Sequence, residues 1–474
     1  MEIPDVTPLK PLISNASRKA QSTGSEVLVS HAQPVEPLDL VQLFASAAEH
    51  TSDRWFWEDP TANRSMLSLG SLTGITPPRN VRFQEVARNL RQFASSATVA
   101  VENGAESAAP VFQVAFSYDP RRDQDRLVWQ GFPSTYLQVP RLTILRDGDE
   151  FTLIQNTFIS PAMDIETVYS SVFEFTSAIF TSAGAVVESE LVVDIAEPDK
   201  SNENEIRGFV RAISKAEAAI HNDGIDVLNV ARRQKITTNG IYREARILNA
   251  LRDQLPGSSL VAVGRHGSTF LGYSEVPLLR NTSGNLCTEV SVGSTRRGQS
   301  DDLDRALAEQ LRNSPLDSDH HEFCVDHVFE SFEGSCSEIN APDEPDVQTR
   351  DDRHVFHSRV TGMLNEGKSP VDVLAELHPP VHVSGYPTQQ SLEFLRGNEE
   401  FDRGWFSAPV GWIDLKGDAG FICSSHAAAI RAPVMHQQRA YLFTVATVYS
   451  GADPDELISL TDQELAALRN ALQS

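Results

Sequence analysis

Asp317, His320, His321, Cys324 and His327 crowd side chains able to bind a metal into one short stretch. If that stretch is helical, His320, Cys324 and His327 fall at i, i+4 and i+7 on one face, a spacing that suits zinc or another transition metal. A polar helix with one buried cysteine gives the same pattern and is the preferred reading, since no fourth ligand is identifiable. The aromatic run Trp55-Phe56-Trp57 offers faces for a ligand, yet it reads better as core. The acidic stretch 342–352 reads as a solvated loop.

The elements that must position these groups follow from periodicity. Residues 38–48 predict a short helix, and 111–118, 127–132, 141–146, 150–155 and 185–193 predict strands. Asp147-Gly148-Asp149 marks a hairpin turn. Beyond a polar boundary at 197–205, Ile206, Val210, Ile213, Ala216 and Ile220 recur at helical spacing. A strand at 227–231, a helix at 242–255 and strands at 259–263 and 268–272 follow, the last two joined at Arg265-His266-Gly267. Helices are expected at 301–312, 323–332, 371–377 and 457–472. Helices and antiparallel strands in blocks give an α+β class. Residues 1–36 are expected to form a disordered tail, 37–200 an N-terminal lobe and 201–474 a C-terminal lobe.

Composition narrows the function. The chain has 474 residues, and 40 Lys+Arg against 65 Asp+Glu give a net charge of −25. Such a balance disfavours nucleic acid or an anionic membrane as partner. No stretch is long and apolar enough to span a bilayer, and no signal peptide is visible. Cys287, Cys324, Cys336 and Cys423 lack metal-ligand spacing and predict free thiols in a reducing cytoplasm.

In the C-terminal third, Gly385-Tyr386-Pro387 and the run Phe401-Asp402-Arg403-Gly404-Trp405-Phe406-Ser407-Ala408-Pro409-Val410-Gly411-Trp412 carry a specific pattern. With Leu377-His378-Pro379 upstream and Asp453-Pro454 downstream, it resembles the signature of the chorismate-utilising enzymes, closest to isochorismate synthase. The likeness continues in Ala231-Arg232, Gly293-Ser294-Thr295-Arg296-Arg297-Gly298, His354, Trp129, Gly131-Phe132-Pro133 and Pro140-Arg141, and so covers roughly residues 37–474. It implies a two-lobed α+β fold of large antiparallel sheets flanked by helices. It also implies a cleft in the C-terminal lobe and a chorismate-like aromatic carboxylate as ligand.

The family reaction moves water onto C2 of chorismate as the C4 hydroxyl leaves. It needs a base, an acid and a carboxylate-held magnesium ion. Matched residue by residue, the resemblance puts Val227 at the base position and Val276 at the acid position, with Glu275 one residue early. A one-residue shift in extended chain turns a side chain to the other face, so Glu275 is a poor substitute. The two metal-ligand positions hold His320 and Leu460, so no metal site is expected, with magnesium only if the chain is active. The carboxylate-binding arginine becomes His426, the lysine of the last helix becomes Glu464, and a glycine-rich strand becomes Thr444-Val445-Ala446-Thr447. Gly293, Ser294, His354 and His426 remain as candidate ligand contacts, while Arg403 reads as structural. The expectation is a catalytically degenerate family member with a binding or regulatory role, in the cytoplasm, tied to menaquinone or siderophore synthesis. The alternative is a divergent isochorismate synthase using substitute residues such as Glu275 or Glu322; a protein partner is left open.

Overall fold

Runs of β-branched and aromatic residues form the strands of a large sheet system. The computed structural model describes residues 3–105, 108–122, 125, 127–182, 202–222 and 224–474. The strand expected at 185–193 and the lobe boundary near 200 lie outside these. Among the described residues, twenty strands form one hydrogen-bonded system. Its pairings are antiparallel, except that Val27–Pro34 runs parallel to Thr98–Val101.

Thr135–Asp147 is the junction. Its start pairs with Val111–Phe116, and further along it pairs with Arg64–Ile75 on one side and Glu150–Ile159 on the other. Two arms leave it. One passes through Arg54–Asp59, Ser259–Arg265, Ser268–Ser274, His426–Ile430 and Gln438–Val448 to Val227–Thr238. The other runs through Pro409–Asp414, Ala419–Cys423, Leu279–Thr282 and Asn285–Arg296 to Arg353–Leu364. Halves distant in sequence are thereby stitched together.

Helices cover the sheets. Asn202–Asn222 buries Phe209, Ala212, Ile213, Ala216 and Ala219, the stripe its periodicity predicts. Asp301–Arg312 opens on Ser300, whose hydroxyl accepts from the Leu303 amide, with acids in its first turn and Arg312 in its last. Pro315–Glu333 follows the Ser314 cap, and Pro454–Glu464 the Asp453 cap.

Three expectations need correction. The described part of the expected disordered tail at 1–36 is ordered: Leu9–Thr23 is a helix burying Leu9, Ile13, Ala16 and Ala20, and Val27–Pro34 is a strand inside the sheet. Apolar side chains spaced by four, three and four outweigh the polar composition around them. Residues 127–132 are no strand; they form a turn that docks by its side chains, with Trp129 stacked on Phe443 at 5.5 Å. Within the acidic stretch, Asp346–Thr349 is a strand paired with Arg353–Leu364. The aromatic run is core as expected: Trp55 and Phe56 are 0% and Trp57 is 2% exposed. Among the described residues, no helix is long and apolar enough to cross a membrane.

Candidate functional site

The scaffold beneath the cleft is organised by Arg403, which is 1% exposed. Its Nε donates to Glu399 Oε2 at 2.9 Å, and its terminal nitrogens donate to the carbonyls of Val383 at 2.6 Å and Asn229 at 2.8 Å. Glu399 also accepts the Ala231 amide at 2.8 Å. One buried ion pair thus fixes the strand Val227–Thr238 against the Phe401–Trp412 segment, which is the structural role read from the sequence. Gly404 is required here: its φ is +53°, and a Cβ would lie 2.1 Å from the Trp129 ring.

Val227 opens that strand opposite Tyr386 and is 1% exposed, inside apolar packing. A valine there carries no proton. Val276 lines a narrow cavity with Ser274, Leu278, Glu289, Cys324, His327 and His382, among others. The free volume of the cavity is about 20 Å³, room for about one water. Glu275 points elsewhere, its two carboxylate oxygens divided between Arg350 and Arg353.

His320 and Leu460, which the resemblance puts at metal-ligand positions, offer magnesium no oxygen donor from their side chains. His320 is buried; its Nδ1 shares a 2.8 Å hydrogen bond with the Tyr449 hydroxyl, and its Nε2 has no partner. Burial, with His382 and His321 nearby, pushes its pKa down to about 3. A neutral imidazole is a poor ligand for an ion that demands oxygen donors, and Leu460, 45% exposed, is none. The zinc reading of the histidine–cysteine face fails as well. His327 Nε2 bonds the Leu377 carbonyl at 3.2 Å, His321 is held by Ser358 at 2.8 Å, and burial pushes the Cys324 thiol up. Among the described residues, no three His, Cys, Asp or Glu side chains are grouped to hold a metal.

Around His426, where the resemblance places a carboxylate-binding arginine, a different constellation gathers. His426 lies parallel to Tyr273, with ring centroids 5.0 Å apart, and its Nε2 is 3.7 Å from Glu464 Oε2. The Thr444 hydroxyl donates to that same carboxylate oxygen at 2.8 Å. Arg353 lies in the field of both Glu464 and Tyr273. His426, Glu464, Tyr273 and Arg353 therefore gather on one wall, joined through Arg353 to Glu275.

The remaining candidates lie on the paired strands Asn285–Arg296 and Arg353–Leu364. Gly293, at φ +80°, passes between Asp317 and Phe356, where a Cβ would approach both at 3.0 Å, and Ser294 is exposed at the end of a register shift. His354 turns toward the helix Asp301–Arg312: Nε2 lies 2.9 Å from Asp304 Oδ1 and Nδ1 lies 3.0 Å from the Thr349 hydroxyl. Arg297 also grips Asp304, at 2.8 and 2.9 Å, and together these contacts hold its carboxyl well below the usual range. Both His354 nitrogens are engaged within the chain. Sequence reasoning passed over Arg350 and Arg353, although one cation inside the acidic stretch and another just beyond its end are a signal of internal pairing.

The comparisons accord with this geometry. A family model described as "Chorismate binding enzyme" matches residues 14–473. The chain belongs to that family of chorismate-binding enzymes. Among its relatives, the isochorismate synthase MenF of Bacillus subtilis is 26% identical over 467 residues, covering 97% of this chain and 96% of the relative. The salicylate biosynthesis isochorismate synthase of Pseudomonas aeruginosa is 24% identical, covering 98% of this chain and 94% of that one. The solved structure of the menaquinone-specific isochorismate synthase MenF from Escherichia coli superposes with a TM-score of 0.76 at 19% identity, covering 98% of this chain and all of that one.

Proposed function

We propose that the chain is a catalytically degenerate member of the isochorismate synthase group, with a binding or regulatory role toward a chorismate-like aromatic carboxylate. The cytoplasm is its proposed setting, in menaquinone or siderophore synthesis, with relatives named for menaquinone and salicylate synthesis. What supports the reading is that Val227, Val276, His320 and Leu460 stand at the positions where the resemblance places base, acid and magnesium ligands. A single general acid or base is worth on the order of 10²–10⁴ in rate. Losing both, along with the metal's charge stabilisation, removes most of what such a cleft could contribute. Glu275, the nearest substitute acid, is committed to two arginines.

The test is purified protein incubated with chorismate and magnesium, with isochorismate followed by chromatography. No product above the protein-free background is expected. Turnover at a rate ordinary for an enzyme, on the order of 1 s⁻¹ or more, would overturn the reading and favour a divergent synthase.

A further inference from the structure

The four most exposed large apolar side chains among the described residues are Met435 (93%), Leu127 (82%), Val434 (69%) and Ile241 (58%). Far apart in sequence, they converge on one end of the molecule. Val434 and Met435 stand at the tip of the hairpin joining His426–Ile430 to Gln438–Val448, where the Val434 and Gln437 backbones exchange hydrogen bonds of 2.8 and 3.1 Å. Arg431, in the same hairpin, donates to the carbonyls of Val128 at 3.0 Å and Gln130 at 2.9 Å, which brings in Leu127. The Gln437 side chain donates to Asn239 at 3.0 Å, and Gln438 accepts the Tyr242 amide at 2.7 Å, which brings in Ile241. A fourth loop, Arg265-His266-Gly267, is tied in by Ser268, whose hydroxyl accepts the Ala432 amide at 3.1 Å.

The charge of these segments is the reverse of the chain's. Residues 127–133, 235–243, 264–268 and 430–440 contain no Asp or Glu, in a chain that has 65. They carry Lys235, Arg243, Arg265, Arg431 and Arg439, with His266 and His436. Neighbouring acids are paired: Asp53 meets Arg265 at 3.2 Å, Glu244 is engaged by Arg54 and Thr269, and Asp125 and Glu205 each hold Arg233 at 2.6 Å. The net charge of −25 disfavours an anionic surface as a whole-chain property. Charges beyond about 10 Å are screened at 0.1 M salt, so the local cations govern close contact.

We propose that this end of the chain docks on an anionic lipid surface, with Val434 and Met435 entering the acyl boundary and the surrounding cations meeting the headgroups. A hairpin tip that stands clear of its neighbours suits a fluid layer, whereas a protein partner is held by anchors seated in pockets. Buried apolar area and attraction to anionic lipid add together in such a contact, and each cation near the surface strengthens it. The contact uses none of the cleft residues, so it stands or falls separately from the proposed function.

The test is co-sedimentation of the full chain with lipid vesicles at about 50 mM salt. Phosphatidylcholine vesicles with about one-third phosphatidylglycerol should bind the chain roughly tenfold more tightly than phosphatidylcholine alone. Val434→Ser with Met435→Ser should weaken that binding roughly tenfold or more, and Arg439→Gln about fivefold. Thermal midpoints should not move, since all three side chains are exposed. Leu303→Ser with Leu316→Ser, which are exposed apolar positions on two other helices, must leave the binding unchanged. Binding that ignores lipid charge, no binding at all, or binding that survives the tip substitutions would overturn the proposal. So would a lipid-free dimer that the tip substitutions dissolve, because a second copy would then cover the tip.

Discussion

The joint around Arg403 and the wall that carries Val227 lie along the same strand and have opposite characters. At the joint, buried charge is kept and fully partnered: Arg403 and Glu399, with side chains 1% and 2% exposed, satisfy each other and three backbone groups. Along the cleft, positions where the resemblance calls for charge hold Val227, Val276 and Leu460, and His320 keeps an unpartnered nitrogen. The packing of the joint and the residues at the positions the resemblance marks as reactive thus depend on different side chains. Buried ion pairs contribute to register and to fold only as pairs, so they resist piecemeal change. Val227, Val276 and Leu460 carry no charge and so have no such mutual dependence.

The largest break in this contrast should come from Arg403→Met. Glu399 would remain buried without its partner, at a cost of about 3–5 kcal/mol, read as a drop in the urea midpoint at unchanged slope. A loss below about 1 kcal/mol would show that the joint does not hold the lobe together. Restoring a cation at the cleft should be somewhat less damaging. Val227→Lys places an ammonium in apolar packing, where it must shed its proton or drag in water, costing about 2–4 kcal/mol. The same denaturation would show an open, wet cleft if the substitution proved neutral. The mildest probe is pH. Burial lowers His320 and His378 to about 3, and His321 and His382 to about 4. The unfolded chain takes up these protons near pH 6.5, so it binds more protons than the fold in between. Stability is then full above about pH 6.5 and declines as pH falls toward 4. Thermal melts from pH 7.5 to 4.5 should show a falling midpoint, and His378→Phe should flatten the curve.

Much of the fold was legible where local chemistry and tertiary fate agree. Asp301–Arg312 matches its expected bounds because Ser300 caps it and its first turn is acidic. The hairpin at Asp147-Gly148-Asp149 closes as Asp147 pairs with Glu150. The segment Leu9–Thr23 was misread because its residues are largely polar, although Leu9, Ile13, Ala16 and Ala20 already form a stripe. Trp129 was assigned to a strand because a turn that docks by side chains leaves no periodic trace; its Nε1 reaches the Asp402 carbonyl at 2.8 Å. Within the site, the replaced positions could be read singly from the resemblance. Their new partners could not, since Glu275 and Arg353 stand 78 residues apart and pairing over that span is set by the fold.

Cys287, Cys324, Cys336 and Cys423 are all buried and unbridged, and burial raises each thiol, that of Cys336 to about 11. Only a thiolate alkylates readily, so the native chain should be nearly inert to maleimide at neutral pH. A single cysteine installed at the solvent-facing Leu460 position would then accept a fluorophore cleanly, giving an optical reporter of movement beside the cleft without first stripping the protein of its own sulfur.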